Sequence, residues 1–431
     1  MRHHAHLAVA VCLAVAGVAQ AQWTEQDKLV STEANHAYKN YGWSVGVHEE
    51  TAIAGTYLGG AAYVSIRSGT SWSPQAQLTP TGAVGPALAS GNFGISVSVW
   101  GDVALVGADN DGELGTASGA AYVFQRSGGT WSQAAKLTAS DGAAGNQLGA
   151  SVDVFGDTAV VGAAMAGAAY VFRFVDANWV EVAKLTALDG VSGDMFGTAV
   201  AISDGRIIVG APYADVGGVD KAGAAYIFSW VDSNWIQTSK FTPAAPQSMG
   251  EFGLAADLDG NTAITGELTN IAGLASGSAY LFEESGGTWS AGIQIVPSEP
   301  NTLDLFGTAV SVCGQYAAVG AYNKDPNGLS NAGAVYLFDA DSNWAQVARL
   351  TASDAASNDV FGIAVAIHDL TVVIGAAGDD NLGGTDAGAA YVFVPEPGTL
   401  TIVLLFTGWA MRRRRAGGAH PGAKGTRSIR V

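Results

Sequence analysis

The amino-acid sequence predicts an all-β fold, a seven-bladed β-propeller whose last blade is closed by the N-terminal strand. Three observations lead to this prediction. Two glycine motifs recur seven times at a fixed offset, each repeat contains four strand-length segments, and one spare strand at the start matches one missing at the end. Four short antiparallel strands in each repeat of about 50 residues is typical of a propeller.

The first motif of each repeat is an aromatic residue, once a leucine, followed by glycine. A second glycine follows 13 residues later in all seven repeats and closes a "VVGA"-like strand. Glycine at such positions is typical of β-bulges or of close packing between blades. The pairs are Gly42 and Gly55, Gly94 and Gly107, Gly149 and Gly162, Gly197 and Gly210, Gly253 and Gly266, Gly307 and Gly320, and Gly362 and Gly375.

Two further segments complete the repeat. A "GAAYVF" segment occurs seven times, and its tyrosine and phenylalanine, two residues apart, are expected to form the wall between blades. A "W-x4-K-L-T" segment occurs in six repeats, and an orphan copy begins at Trp23. A linear β-solenoid is the alternative, but it does not explain why the spare strand matches the missing one. We therefore expect Trp23 to Val30 to lie beside Tyr391 to Phe393.

At these motifs the chain resembles the FG-GAP repeat family, the propeller type found at the head of integrin α chains and in many bacterial exported proteins. The resemblance covers residues 22–394. The chain departs from the family pattern in two ways, since "GAP" is complete only at Pro212, and the D-x-D-x-D-G calcium loop between the first two strands is replaced by turns such as Gly101-Asp102. Such turns are too short for a calcium cage, so integrin-like calcium binding is not expected there.

The chain begins with a segment that has the features of a secretory signal peptide, residues 1–21. Arg2 supplies the positive charge, residues 7–18 are apolar, and Ala19-Gln20-Ala21 offers a cleavage site. A first buried strand or a membrane anchor is the alternative, and the shortness of the apolar run argues against both.

The other end resembles the PEP-CTERM sorting signal of bacteria that export exopolysaccharide. Residues 395–415 contain an acidic tripeptide, an apolar run of residues 400–411, and a basic cluster, and 416–431 form a basic tail. The resemblance implies recognition by an exosortase, transient membrane anchoring, and release or attachment outside the inner membrane. The alternative is a hydrophobic chain end followed by a disordered tail. The sorting residues are Pro395, Glu396, Pro397, Arg412, Arg413, Arg414 and Arg415.

The charge of the central part excludes several classes of partner. Between the signal segment and the basic end, 12 basic and 38 acidic residues leave a net charge of −26. Such a surface repels nucleic acid and anionic lipid, whereas cations or cationic polymers are compatible with it. Cys313 is the single cysteine after the signal segment, so no intramolecular disulfide is expected, and it is interpreted as a small packed residue.

The long connections, between the second and third strands and between successive repeats, are variable and acidic, and they share one face of the ring. That face is the predicted binding face. A weak cation site, with Ca²⁺ as the only cofactor considered, is predicted at Asp109, Asp111 and Glu113 or at Asp379 and Asp380. The alternative is that these residues form turns and keep the surface soluble.

No motif in the chain indicates catalysis: G-x-S-x-G, H-E-x-x-H, C-x-x-C and the phosphate loop are absent. We therefore expect a non-catalytic, secreted or surface-displayed module for binding or adhesion. Its expected ligand is a glycan or protein of the extracellular polysaccharide matrix. A secreted glycan-active enzyme on the same ring is the alternative, since a carboxylate pair could lie among the many aspartates.

Overall fold

The fold consists of seven antiparallel sheets, each a meander of neighbouring strands. The computed structural model describes residues 22–33, 37–84, 91–268 and 276–396. Within these residues, six sheets have four strands, and the fifth along the chain has a divided outer strand. The all-β seven-bladed propeller predicted from the repeats is thereby confirmed. Each blade begins at an inner strand, which contains or follows the aromatic-glycine motif, and ends at an outer strand.

The strands follow one another with short turns of mostly two residues between the first and second and between the third and fourth strand of a blade. In chain order they are β1 (Trp23–Leu29), β2 (Tyr41–His48), β3 (Thr51–Thr56), β4 (Ala62–Ser68), β5 (Ser71–Leu78), β6 (Val97–Trp100), β7 (Val103–Ala108), β8 (Ala120–Ser127), β9 (Thr130–Leu137), β10 (Ser151–Phe155), β11 (Thr158–Ala163), β12 (Ala168–Val175), β13 (Asn178–Leu185), β14 (Val200–Ser203), β15 (Arg206–Ala211), β16 (Ala224–Val231), β17 (Asn234–Phe241), β18 (Ala256–Asp259), β19 (Thr262–Glu267), β20 (Ser278–Ser285), β21 (Thr288–Trp289), β22 (Ile293–Ile295), β23 (Phe306–Cys313), β24 (Tyr316–Ala321), β25 (Ala334–Asp339), β26 (Ala345–Leu350), β27 (Phe361–His368), β28 (Thr371–Ala376) and β29 (Ala389–Pro395). Within the described ranges there are also three single-turn 3-10 segments, Ala164–Ala166, Pro326–Gly328 and Ala340–Ser342.

Ring closure follows the sequence prediction. Blades 1 to 6 comprise β2–β5, β6–β9, β10–β13, β14–β17, β18–β22 and β23–β26. Blade 7 has the strand order β1-β29-β28-β27, so the N-terminal strand supplies its outer strand. Because β1 and β29 pair in one sheet, blade 7 has all four strands and the ring is closed.

The ring forms one compact unit, Trp23–Val394. The described residues Gln22, Pro395 and Glu396 belong to a second unit. The signal segment and the remaining sorting residues lie outside the described residues, namely Pro397, Arg412, Arg413, Arg414 and Arg415.

The hydrophobic core is divided among the contacts between neighbouring blades. The described residues contain seven buried clusters, and each combines side chains of two adjacent blades, including blades 7 and 1. In blade 2, the motif aromatic Phe93 lies with its ring centroid 5.4 Å from Tyr122 and 5.9 Å from Phe124. The tyrosine and phenylalanine of the "YVF" segment therefore face the same wall, as their spacing predicts.

The two repeated glycines meet across these walls. At the closure of the ring, a Cβ added to Gly375 of blade 7 would lie 1.8 Å from the carbonyl oxygen of Gly42 in blade 1. Gly42 itself has a φ of +83°, a conformation that favours glycine. Because the same contact recurs between successive blades, the glycines mark positions where two backbones touch and no side chain fits.

Blade 5 departs from the four regular strands that the repeats predict. Its outer strand is divided into β21 and β22. Blades 1, 2, 3, 4 and 6 have a register shift at the same place, for example between Val171 and Phe172. In blade 5, the Ser290 hydroxyl instead accepts a hydrogen bond from the Glu283 backbone amide, at 3.0 Å. The Glu283 amide therefore donates to a side chain and not to a backbone carbonyl of the outer strand. Strand pairing is interrupted there, where those blades have only a bulge.

Candidate functional site

The ring has two chemically different faces. The loop face carries the long connections that contain the predicted cation-site residues. The turn face carries the short turns, such as those after β6 and β10 and after β12 and β16. The seven inner strands surround a central channel between the two faces, and they end on the turn face.

On the loop face, the carboxylates of the first predicted cation site form hydrogen bonds and two ion pairs within the protein. Asp111 is fully buried and accepts a hydrogen bond from the Tyr122 hydroxyl at 2.7 Å and from Lys136 Nζ at 3.0 Å. Lys136 also lies 2.6 Å from a Glu113 oxygen. Asp109 accepts a hydrogen bond from Asn92 at 3.0 Å, and burial raises the pKa of its carboxyl group.

The second predicted site has the same arrangement at the closure of the ring. Asp379 accepts hydrogen bonds from Lys28 Nζ at 2.8 Å and from the Tyr391 hydroxyl at 2.7 Å. Lys28 also donates to Asp354 at 2.7 Å. Partial burial opposes the charge on this ammonium group, but the hydrogen bonds to the two aspartates outweigh it and raise the pKa of Lys28. Asp380, by contrast, accepts the Asp386 backbone amide at 2.8 Å and forms a turn.

These contacts are two instances of an arrangement that recurs around the ring. In blade 3, the Tyr170 hydroxyl and Lys184 both donate to Asp141, which belongs to the connection from blade 2, at 2.7 and 2.6 Å. The tyrosine of "YVF" and the lysine of "KLT" thus hold an acidic residue of a neighbouring connection. The sequence carried only part of this signal, since the tyrosine repeats in every blade but the lysine is replaced in blades 1, 5 and 6, and the proximity of the three residues depends on the packing of blades.

The loop-face carboxylates Asp111, Asp141, Asp354 and Asp379 therefore link connections to the strands of the blades through ion pairs and hydrogen bonds. Among the residues that the structure describes, no group of three or more His, Cys, Asp or Glu side chains is placed to hold a metal ion. Cation binding at Asp109, Asp111, Glu113, Asp379 and Asp380 stays a prediction, and this geometry gives it no support.

Inside the channel, carboxylate side chains of one inner strand accept hydrogen bonds from backbone amides at the unpaired edge of the next inner strand. Asp153 accepts a hydrogen bond from the Ser98 hydroxyl and from the Ile202 amide, both at 2.7 Å. Asp257 accepts the Val312 amide at 2.8 Å and the Ser311 hydroxyl at 2.9 Å. Burial raises the pKa of Asp153 to about 7 and also raises the pKa of Asp257.

At the turn face, the channel opens through a ring formed by the last residue of each inner strand. These seven residues line a cavity of about 290 Å³ that also contains Asp153 and Asp257. Burial raises the pKa of the Cys313 thiol to about 11, which leaves it a weak nucleophile at neutral pH. Around the ring in blade order, the residues are His48, Trp100, Phe155, Ser203, Asp259, Cys313 and His368.

Four of these residues form a continuous aromatic arc. Ring centroids are 4.4 Å apart for His368 and His48, 4.1 Å for His48 and Trp100, and 4.1 Å for Trp100 and Phe155. Burial, together with the neighbouring His368, lowers the pKa of His48 and so disfavours the charged form of this imidazole. Sequence reasoning did not find this arc, because Trp100 follows His48 by 52 residues, Phe155 follows Trp100 by 55, and His368 follows only 213 residues later. The four residues share only a position at the end of an inner strand.

Blades 3 and 4 break the sevenfold repetition of the surface. Their hairpins between the third and fourth strands expose large apolar side chains, each between 40% and 46% accessible. A pocket of about 260 Å³ lies between the two blades on the turn face, and Phe155, Arg173, Trp230 and Trp235 contribute to its wall. The exposed residues are Phe174, Val175, Val180, Val182, Trp230, Val231 and Ile236.

Comparison with known proteins matches the chain to one family. A family profile described as FG-GAP repeat matches residues 72–124, 131–172, 179–228, 289–338 and 344–393, which together make up more than half of the chain. Each match begins at an outer-strand tryptophan and ends at the "YVF" phenylalanine of the next blade. No curated protein matches the chain. The described residues include no helix long and apolar enough to cross a membrane.

Proposed function

The chain belongs to the FG-GAP repeat family, and on that premise we propose that it is an exported, non-catalytic module for binding and adhesion. It is displayed at the cell surface or in the extracellular polysaccharide matrix, where it binds a glycan or a protein. The fold is consistent with a binding domain, and the ligand and the location are the proposed part.

The observation that carries the proposal is the broken repetition at blades 3 and 4. The other blades provide an internal reference for what the fold requires at each exposed position. Where blade 4 has Trp230, blades 1 and 2 have arginine and blade 5 has glutamate. Where blade 4 has Ile236, blades 1, 2 and 5 have serine. Packing therefore does not demand these apolar side chains, and exposed apolar patches of this kind mark binding surfaces.

Rigidity of the ring supports a binding role for that patch. The blades touch through backbone contacts at paired glycines, and loop-face ion pairs fasten the connections between them. A patch on such a frame loses little conformational freedom on binding, which favours affinity.

The amino-acid sequences of the N-terminal and C-terminal segments support the proposal of export and sorting. The signal segment, residues 1–21, directs the chain out of the cytoplasm, and the sorting segment, residues 395–415, presents it to an exosortase-type processing enzyme. In the structure, β29 ends at Pro395, the first residue of that segment. The tripeptide therefore begins at the last residue of that strand.

The enzyme alternative would require carboxylates free to act on a glycan. Among the described residues that line the channel cavity, Asp153, Asp257 and Asp259 are acidic, and Asp259 at the mouth accepts the Gly314 amide at 2.7 Å. Farther inside, Asp153 and Asp257 each use both oxygens as hydrogen-bond acceptors for backbone amides and serine hydroxyls. Their role in closing strand edges accounts for both residues without catalysis, which supports a binding module.

Binding to the matrix is the direct test. The full chain is expressed in the cells that produce it, the fractions are separated, and the purified protein is sedimented with the cells' own exopolysaccharide. We expect the protein outside the inner membrane, co-sedimentation with the polysaccharide or with a matrix protein, and no new reducing or unsaturated ends. New chain ends would establish the enzyme alternative instead. Retention of the protein in the cytoplasm would refute the proposal.

A matched variant connects binding to the patch. Val180→Ser with Ile236→Ser places in blades 3 and 4 the serine that blade 2 has at Ser132. We expect weaker co-sedimentation with unchanged thermal unfolding. Leu188→Ser, which removes an exposed apolar side chain from the loop face, is the control and should bind normally.

A further inference from the structure

We propose that the turn face carries an aromatic track that binds a glycan chain without acidic groups, running from the channel mouth to the pocket between blades 3 and 4. This inference rests on the proposed binding function and specifies the class of ligand and its place. It lies on the face opposite to the acidic loops that the sequence pointed to.

The track begins with the arc His368, His48, Trp100 and Phe155 at the channel mouth. Neighbouring rings in the arc are tilted by 43° to 47°, so their faces follow the curvature of the ring of inner strands. Trp100 and Phe155 are partly accessible at the end of the channel. The arc covers four of the seven blades, and the other three end their inner strands with the polar or small residues Ser203, Asp259 and Cys313.

Phe155 connects the arc to the pocket, because its side chain lines both cavities. Beyond it, the pocket wall continues to Trp230 and Trp235, whose ring centroids are 5.3 Å apart. The guanidinium group of Arg173 lies 5.7 Å from the ring centroid of Trp230 and joins blade 3 to blade 4. Aromatic side chains therefore follow one another from the channel mouth to the outer part of the ring.

The chemistry of the wall suits a chain of sugar rings. A pyranose has an apolar C–H face and a rim of hydroxyl groups, which match an aromatic face flanked by a few polar groups. Asp157, Thr158 and Asp204 line the pocket beside the aromatic rings. The indole nitrogen of Trp235 and Nε of Arg173 have no hydrogen-bond partner within the described part of the chain. Both belong to pocket-lining residues, but both atoms are buried, so the polar groups that a sugar meets at the pocket surface are those of Asp157, Thr158 and Asp204.

Charge restricts the class of glycan. Asp102 and Asp157 on the turn face are paired with Arg126 and Arg173, at 2.6 and 3.0 Å. Glu49, Glu50 and Asp204 lie in equivalent turns and form no ion pair with any described residue. With Asp259 at the channel mouth, the rim is acidic and repels uronic-acid or sulfated polymers. A neutral or amino-substituted chain meets no such barrier.

A protein partner is the competing ligand for this surface, because the hairpins of blades 3 and 4 expose aliphatic side chains. Val180, Val182 and Ile236 lie outside the pocket wall, and aromatic rings together with polar side chains line the pocket itself. The composition of the wall therefore favours a sugar chain, and a protein that covers the hairpins is an outcome for the test to detect.

The experiment titrates the purified full chain with three hexasaccharides, cellohexaose, the hexamer of glucosamine and hexagalacturonate, by calorimetry and tryptophan fluorescence. We expect the neutral or the amino-substituted hexamer to bind and hexagalacturonate not to bind. Phe155→Ser copies Ser203 of blade 4, and Trp230→Glu copies Glu284 of blade 5. Each should weaken binding at least tenfold, as expected for loss of an aromatic anchor.

Trp43→Ser is the matched control, because this aromatic residue lies at the loop-face end of the same channel. It should change affinity by less than twofold. Trp230 is exposed, so its replacement tests the track even if Phe155→Ser fails to fold. Equal binding by Trp230→Glu and the natural chain, preferential binding of hexagalacturonate, or no binding of either non-acidic hexamer overturns the inference. Co-sedimentation with the matrix that survives Trp230→Glu but is lost in the hairpin serine variant shows a protein partner, which also overturns the track and leaves the binding function intact.

Discussion

Replacing Lys28 by methionine tests how the ring is closed. The substitution keeps an unbranched side chain and removes the ammonium group that pairs with Asp354 and Asp379. Asp379 is only 3% exposed, so it would remain as a buried carboxylate with the Tyr391 hydroxyl and the Asn381 amide as its side-chain donors. Breaking a buried pair from one side costs about 3–5 kcal/mol. We expect Lys28→Met to lower the free energy of unfolding by that amount.

The repeat provides a matched control for this magnitude. Lys184 occupies the same strand position in blade 3, but its partner Asp141 is 53% exposed. An exposed ion pair contributes about 0.2–1 kcal/mol. Lys184→Met should therefore lower the free energy of unfolding by less than about 1 kcal/mol, although the residue type, the position in the outer strand and the substitution are the same.

Urea unfolding of the full chain at pH 7 measures both variants. Amide hydrogen exchange over Trp23–Leu29 then shows whether the outer strand of blade 7 opens first. The double variant Lys28→Met with Asp379→Asn should recover part of the lost stability, since it removes the uncompensated charge. Equal losses for Lys28→Met and Lys184→Met would refute the assignment of a buried ion pair at the ring closure.

Three further predictions follow from the packing of the blades and from the channel. Gly375→Ala should destabilise the ring by about 1–3 kcal/mol in urea unfolding, because the new Cβ meets the Gly42 carbonyl oxygen, whereas Gly217→Asn in an open turn should cost much less. Deleting residues 22–30 should expose the edge of β29 and produce concentration-dependent association in sedimentation, and a monomer as stable as the full chain would contradict the closure. Burial raises the pKa of Asp153 to about 7, so its contribution to stability is complete below about pH 4 and is lost as pH rises through 7. Asp153→Asn should remove that loss, up to about 4 kcal/mol, and unfolding curves of equal pH dependence would contradict it.

The number of blades and the closure could be predicted because they depend on periodicity alone. A fixed offset between Gly42 and Gly55, repeated through Gly362 and Gly375, identifies equivalent strands without any knowledge of their contacts. The spare segment at Trp23 then has one place to pair. The divided outer strand of blade 5 was not predictable, since it depends on a hydrogen bond from the Glu283 backbone to the Ser290 side chain.

The predicted binding face and cation sites were inferred from charge and loop length alone, and they stay predictions. Acidic loops were interpreted as free ligands because a sequence shows charge but not the partner of each charge. Asp111 and Asp379 are used by Lys136 and Lys28, which belong to strands 25 residues later and 351 residues earlier. The turn-face arc gave no local signal, as His48 and His368 are neighbours only because the chain closes into a ring.

The sequence by itself determined the all-β class, the seven blades, the strand order within each blade and the exchange of the first strand into the last blade. These properties follow from requirements of the backbone that recur in every blade. Glycine marks each close contact between backbones, and alternating side chains mark each strand. The tertiary structure alone decided which glycines touch, which carboxylates are neutralised, and which side chains share the channel mouth. Those relations join residues from 25 positions apart, as for Asp111 and Lys136, to 351 positions apart, as for Lys28 and Asp379, and only the folding and packing of the seven blades puts them within bonding distance.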